Sequence, residues 1–165
     1  MPISKPKISC IYLDMDGVIA DFVKRYKELY HMEPREAEKH DKFKKFFDEF
    51  IQNNNFATLE PMAHAMDAIA YLRKLHVPTQ ILSSTANEKY HDAIAKQKMI
   101  WLQKYGITFT PILVPGKRLK QQYAAPDKIL IDDTQVNIDQ WVAAGGIGIL
   151  HKDWETTITI LKMYV

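Results

Sequence analysis

The stretch Ile8-Ser9-Cys10-Ile11-Tyr12-Leu13-Asp14-Met15-Asp16-Gly17-Val18-Ile19-Ala20-Asp21-Phe22 is an apolar run that stops abruptly in two carboxylates one residue apart, followed by glycine. A short run rich in β-branched and aromatic residues reads as a buried strand. Such a strand aims Asp14 and Asp16 past the end of a sheet, where ligands bind in open α/β folds. Two carboxylates this close repel unless a cation or a shared proton intervenes. A solvated Asp-Gly turn is the plainer alternative. A calcium loop is excluded, because counting from Asp14 puts Val18 and Arg25 where oxygen ligands belong.

Working outward, other apolar runs end in a similar way. Val77 to Leu82 runs into Ser83-Ser84-Thr85, and Lys128 to Ile131 runs into Asp132-Asp133. Thr110 to Val114 and Ile147 to Leu150 supply two more strand candidates. Between them lie helical patterns. Asn87 caps a helix that Gly106 stops, with Ile94, Lys98, Trp101, Leu102 and Tyr105 along its stripe. Pro61 is expected to open a helix carrying Met62, Met66, Ile69, Ala70 and Leu75. Asn137 and Gln140 have the spacing of an N-cap and its reciprocal partner. Trp154, Ile158 and Leu161 space out a final helix.

Strands alternating with helices imply a parallel sheet in a doubly wound, Rossmann-like α/β fold. Residues 22–60 are too long for a crossover and read as a small helical cap inserted into a core of residues 1–21 and 61–165. That insertion holds six of the seven phenylalanines, at spacings that suit a small apolar core.

Composition narrows the class. With 165 residues, 47% hydrophobic, 25% charged and a formal net charge of +2, the chain reads as an ordinary globular protein. So small a charge gives no support for a nucleic-acid polymer or a membrane surface as partner. Cys10 is the only cysteine, which excludes an internal disulfide. The apolar run behind the N-terminal lysines ends in acids and not in a small-residue cleavage site, so the expected location is cytoplasmic. No glycine-rich dinucleotide or P-loop signature is present. The six histidines lack metal-ligand spacing.

Taken together, the strand ends place two acids, a pair of hydroxyls and two further acids at one edge of one sheet. That set favours magnesium-assisted attack by an aspartate on phosphorus. The pattern resembles the haloacid dehalogenase superfamily of aspartyl phosphatases over nearly the whole chain. Asp14-Met15-Asp16-Gly17-Val18 is similar to that superfamily's first motif, Ser83 to its second and Asp132-Asp133 to its fourth. Within the superfamily, the run from Asp14 to Phe22 resembles the 5'(3')-deoxyribonucleotidases, which share Asp-Met-Asp-Gly-Val, an aliphatic residue and Ala-Asp-Phe.

By that resemblance Asp14 is the nucleophile and Asp16 the general acid and base. Mg²⁺ would be held by the Asp14 carboxylate, the Asp16 backbone carbonyl and the Asp132 carboxylate, with Asp133 orienting a neighbour. Ser83 and Ser84 would hold the phosphoryl group, together with the third-motif lysine and Lys98. For that lysine the resemblance favours Lys120, in Lys120-Gln121-Gln122-Tyr123-Ala124, with Lys117 the alternative. Phe22 would stack on a nucleobase, its other reading being cap core. The implied activity is hydrolysis of small phosphomonoesters, nucleoside monophosphates before sugar phosphates, by a monomer or homodimer; a non-catalytic phosphate-binding module is the alternative of another class. The chain departs from the nucleotidases in Ser83 where Thr is common, in Thr134-Gln135-Val136 after the paired aspartates, and in the short cap.

Overall fold

The computed structural model describes residues 4–165. Residues 1–3, counted with the core by the sequence reading, lie outside the described residues. The sheet has five parallel strands: β1 (Cys10–Leu13), β2 (Thr79–Ser84), β3 (Thr110–Val114), β4 (Lys128–Asp132) and β5 (Ile147–Leu150), in the order β3-β2-β1-β4-β5. The first strand of the chain is therefore the central one. It pairs with β2 from Ile11 opposite Thr79 to Leu13 opposite Ile81, and with β4 from Cys10 opposite Lys128 to Leu13 opposite Ile131.

Among the described residues seven α-helices accompany the strands. Three fill the insertion: α1 (Phe22–Tyr30), α2 (Pro34–Lys39) and α3 (Phe43–Gln52), followed by a 3₁₀ turn at Asn55–Ala57. The others are α4 (Ala65–Arg73), α5 (Glu88–Lys104), α6 (Gln135–Ala143) and α7 (Trp154–Leu161), with a second 3₁₀ segment at Lys117–Tyr123. Alternation along the strands divides the core. Ile11, Leu13, Ile81, Ile129 and Ile131 join α4, α5, α7 and the insertion in one large cluster. Cys10, Tyr12, Leu82 and Leu130 face Ile138 and Trp141 of α6 with Leu119 and Tyr123 of the 3₁₀ segment. Helical cover on both faces explains why the strands read as continuous apolar runs. This is the doubly wound α/β architecture expected.

Three expectations fail locally. Pro61 does not open a helix: it bridges Ala20 in an antiparallel contact, and α4 starts at Ala65 after His64 in the left-handed conformation. The buried stripe of α4 is accordingly Ala65, Ala68, Ile69 and Leu72, with Met66 exposed. Asn137 is not an N-cap, because extended Thr134 already precedes the first turn of α6.

Candidate functional site

The carboxyl ends of β1, β2 and β4 are neighbours, so their polar endings meet. After β1 the chain folds back on itself, the amides of Val18, Ile19 and Ala20 all donating to the Met15 carbonyl. Gly17 sits in this turn at φ +78°, and a methyl group there would collide with the Asp133 carboxylate. Only glycine satisfies both conditions.

Two buried lysines organise the acids. Lys120, 3% exposed, donates to Asp14 Oδ1 at 3.0 Å and to Asp132 Oδ2 at 2.7 Å. Asp132 also accepts from the Thr134 amide at 2.9 Å and from Asn137 Nδ2 at 3.1 Å, so its orientation is fixed from three sides. Lys98, 1% exposed, donates to Asp16 Oδ2 at 3.0 Å, Ser83 Oγ at 2.7 Å and the Ser84 carbonyl at 2.9 Å. An ammonium has three hydrogens, so Lys98 is fully engaged by protein. Its place on the apolar stripe of α5 thus lets it pair from beneath with Asp16, which lines the cleft.

Carboxylate oxygens of Asp14, Asp132 and Asp133 gather within 4.8 Å of one another. The side chain of Asp16 is not in this group; Asp133, expected only to orient a neighbour, is. Burial, the charges of Asp132, Asp133 and Asp16 and the opposing pull of Lys120 leave Asp14 pushed up to about 8. Loss of water around its carboxyl, with Asp132 and Asp16 nearby, pushes Asp133 up to about 6. Burial alone would lower Lys120, but its contacts with Asp14 and Asp132 outweigh that and hold it above the ordinary lysine value.

These residues suit a hard divalent cation on two observations. The three grouped acids carry, when ionised, two negative charges beyond the one positive charge of Lys120, and all their donors are oxygens. Buried Asp16 Oδ1 and Asn137 Oδ1 have no partner among the described residues, and both residues line the same cleft. Buried polar atoms are normally satisfied, so unpaired oxygens beside an acid cluster fit water or a cation.

The cleft encloses about 380 Å³. One wall is polar, with Asp14, Asp16, Ser84, Lys117, Lys120, Asp133, Thr134 and Asn137. The other is apolar, with Phe22, Val23, Phe43, Phe47, Phe56 and Ile94. Phe22 lies parallel to Phe56 at 5.6 Å between centroids, and Phe43 is stacked on Phe47 at 5.0 Å. Phe22 and Phe47 meet edge to face at 6.4 Å. Phe22 therefore belongs both to the packing of the insertion and to the cleft.

Each expected site residue is placed in or beneath this cleft. Ser84 lines it, whereas fully buried Ser83 lies beneath, its hydroxyl accepting from Lys98. Lys120 reaches the acids; Lys117 lines the rim and is exposed. Sequence reasoning missed Asn137 as a partner of Asp132 and missed Gln97 entirely. It favoured packing for most of the phenylalanines of the insertion and did not single out Phe43, Phe47 or Phe56 as lining the cleft. The signal for Gln97 was present: an amide three residues after Ile94 lies on a buried stripe.

A family model described as 5' nucleotidase, deoxy (pyrimidine), cytosolic type C protein matches residues 8–156. No curated protein matches the chain. Among solved structures, a hydrolase from Streptococcus pneumoniae TIGR4 is 16% identical, covering 94% of this chain and 99% of its own, with a TM-score of 0.55. A haloacid dehalogenase family hydrolase from Deinococcus radiodurans R1, with bound phosphate and sodium, is 15% identical, covering 97% and 89%, with a TM-score of 0.59. L-2-haloacid dehalogenase from Xanthobacter autotrophicus is 10% identical, covering 94% and 82%, with a TM-score of 0.58. At these identities the structures establish a shared fold.

Proposed function

The chain belongs to the 5' nucleotidase, deoxy (pyrimidine), cytosolic type C family of haloacid dehalogenase phosphatases, and from that premise we propose that it hydrolyses deoxyribonucleoside monophosphates through an aspartyl-phosphate on Asp14. The observation that carries this reading is the two-sided cleft: Asp14, among Lys120, Asp132 and Asp133, faces a wall of four phenylalanines. A phosphate fits the first side and a flat base the second. That the Deinococcus hydrolase, of the same fold, carries a bound phosphate supports the reading.

In this scheme residues 22–60 form the cap and supply the base wall. The Asp14 carboxylate attacks phosphorus while the bond to the leaving oxygen breaks, and Asp16 gives that oxygen a proton. Lys98 occupies Asp16 Oδ2, which leaves the unpaired Oδ1 to carry the proton. In the second half Asp16 Oδ1 takes a proton from water as that water attacks phosphorus, releasing inorganic phosphate and restoring Asp14. Ser84, which lines the cleft, would offer its amide to a phosphoryl oxygen, while Ser83 beneath it accepts from Lys98 and holds that lysine in place. Lys120 and Asn137 hold Asp14 and Asp132 in place throughout.

Mg²⁺ would be held by Asp14 and Asp132, with Asp133 and the Asp16 backbone carbonyl alongside, and would offset the charge between anionic nucleophile and anionic substrate. The test is phosphate release from deoxyribonucleotides, ribonucleotides and sugar phosphates, with Mg²⁺, with EDTA, and with Asp14→Asn as control. Release from deoxyribonucleotides that needs Mg²⁺ and Asp14 supports the reading. Activity confined to sugar phosphates would keep the chemistry and reject the nucleotide.

A further inference from the structure

Gln97 is 3% exposed and sits on α5 immediately before Lys98. An amide on a buried stripe is costly unless both of its ends find partners. Here both partners belong to the insertion. Gln97 Oε1 accepts from the Phe56 amide at 3.1 Å, and Nε2 donates to the Ile51 carbonyl in the last turn of α3 at 2.8 Å. One turn further along, Trp101 Nε1 donates to the Leu59 carbonyl at 2.8 Å. Phe56, fixed in this way, lies parallel to Phe22, and its ring centroid is 5.4 Å from the Lys98 ammonium. A single helix thus reaches the aromatic wall through Gln97 and the acid end of the sheet through Lys98.

We propose that Gln97 is a positioning residue for substrate selection: by fastening Phe56 and the end of α3 to α5, it sets the distance between aromatic wall and acid cluster, and with it the preference for phosphomonoesters that carry a flat ring. The proposal rests on the nucleotide reading above. Gln97 touches no reacting atom. It acts through Phe56, so its removal weakens binding of the ring and leaves phosphoryl chemistry intact.

The experiment compares deoxyribonucleoside 5'-monophosphates with 2-deoxyribose 5-phosphate, which lacks the base, under Mg²⁺. Wild type, Gln97→Met and Gln97→Asn are assayed for kcat and KM, with thermal melting to confirm folding. Gln97→Met keeps the volume and loses both hydrogen bonds; Gln97→Asn keeps the amide and shortens its reach. The expected result is a KM for nucleotides raised about tenfold, the worth of one aromatic contact. Turnover of the abasic substrate stays within about twofold, because uniform loss of ring binding does not alter the chemical step. Gln97→Asn shifts selectivity in the same direction, and it carries the test if Gln97→Met does not fold. An unchanged ratio in a folded variant, or an equal fall for both substrates, would overturn the proposal. A wild-type enzyme that takes the abasic substrate as readily as nucleotides would instead overturn the nucleotide reading, and this proposal with it.

Discussion

At the carboxyl end of the sheet, Lys120 and Lys98 are buried among Asp14, Asp16 and Asp132, with Asp133 at the mouth; across the cleft Phe22, Phe43, Phe47 and Phe56 face it with purely apolar side chains. The first wall is held by directed, charged hydrogen bonds, whose net worth depends on what else shares the site. The second is held by contact area and ring geometry, which are indifferent to pH and to ions. One region is therefore built for chemistry at a cost in stability, and the other stabilises the fold while offering a surface for a substrate.

Removing the proposed nucleophile tests this most strongly. Asp14→Asn is expected to lower kcat by about 10⁴-fold, as loss of a covalent nucleophile does. Yet the variant is expected to be more stable than wild type in EDTA at pH 8. The folded-state value of Asp14, pushed up to about 8, lies above the unfolded value of about 4. As pH rises through that window the unfolded chain loses its proton first, so wild-type stability falls. The variant lacks that slope and gains nothing at pH 4. Denaturation curves at both pH values check the sign, and a less stable variant at pH 8 would contradict the account.

The next pair sets the walls side by side. Lys120→Met strands Asp14 and Asp132 and is expected to cost about 3–5 kcal/mol. Phe50→Ala, which empties the buried core of the insertion, is expected to cost a similar amount, about 3–5 kcal/mol. The two should separate with pH. The Lys120→Met loss shrinks toward pH 5, where Asp14 is protonated, whereas the Phe50→Ala loss stays level. Urea titrations at pH 5 and 8 read the difference directly, and parallel behaviour would erase the distinction between the walls.

A smaller effect concerns what the apolar wall reads. With no polar side chain on it, different bases should differ in kcat/KM by no more than about tenfold, the range of stacking strength. A preference of 10³-fold for one base would show that a hydrogen bond reads its edge. The smallest effect lies deeper in the insertion. The Tyr26 hydroxyl is buried among aromatic rings without a partner among the described residues. Tyr26→Phe is expected to stabilise the protein by about 1 kcal/mol, measured by thermal or chemical unfolding.

The two walls were also unequally legible in the sequence. Buried parallel strands must be apolar until they end, so the switch from Leu13 to Asp14 or from Ile131 to Asp132 marks strand and site together. The choice between Lys117 and Lys120 was harder for a geometric reason. They lie three residues apart in a 3₁₀ segment, which puts both on one face, and only depth separates them. Asn137 misled because the helix already begins at Gln135, which puts Asn137 inside the first turn, where its Nδ2 donates to Asp132. The phenylalanine wall was least legible, since helical spacing looks the same whether a ring packs inward or lines a cleft.

The central position of β1 also bears on how the protein is made. β1 is synthesised first, but its partners begin at Thr79 and Lys128. While the ribosome is still working on the middle of the chain, Asp14 and Asp16 have neither Lys98 nor Lys120 to meet. Pairings so distant in sequence delay folding, and an unpaired apolar strand is prone to aggregate while it waits. The phosphatase site is thus a late product of folding, complete only after β4 has docked, and no nascent fragment ending before Lys120 can contain it.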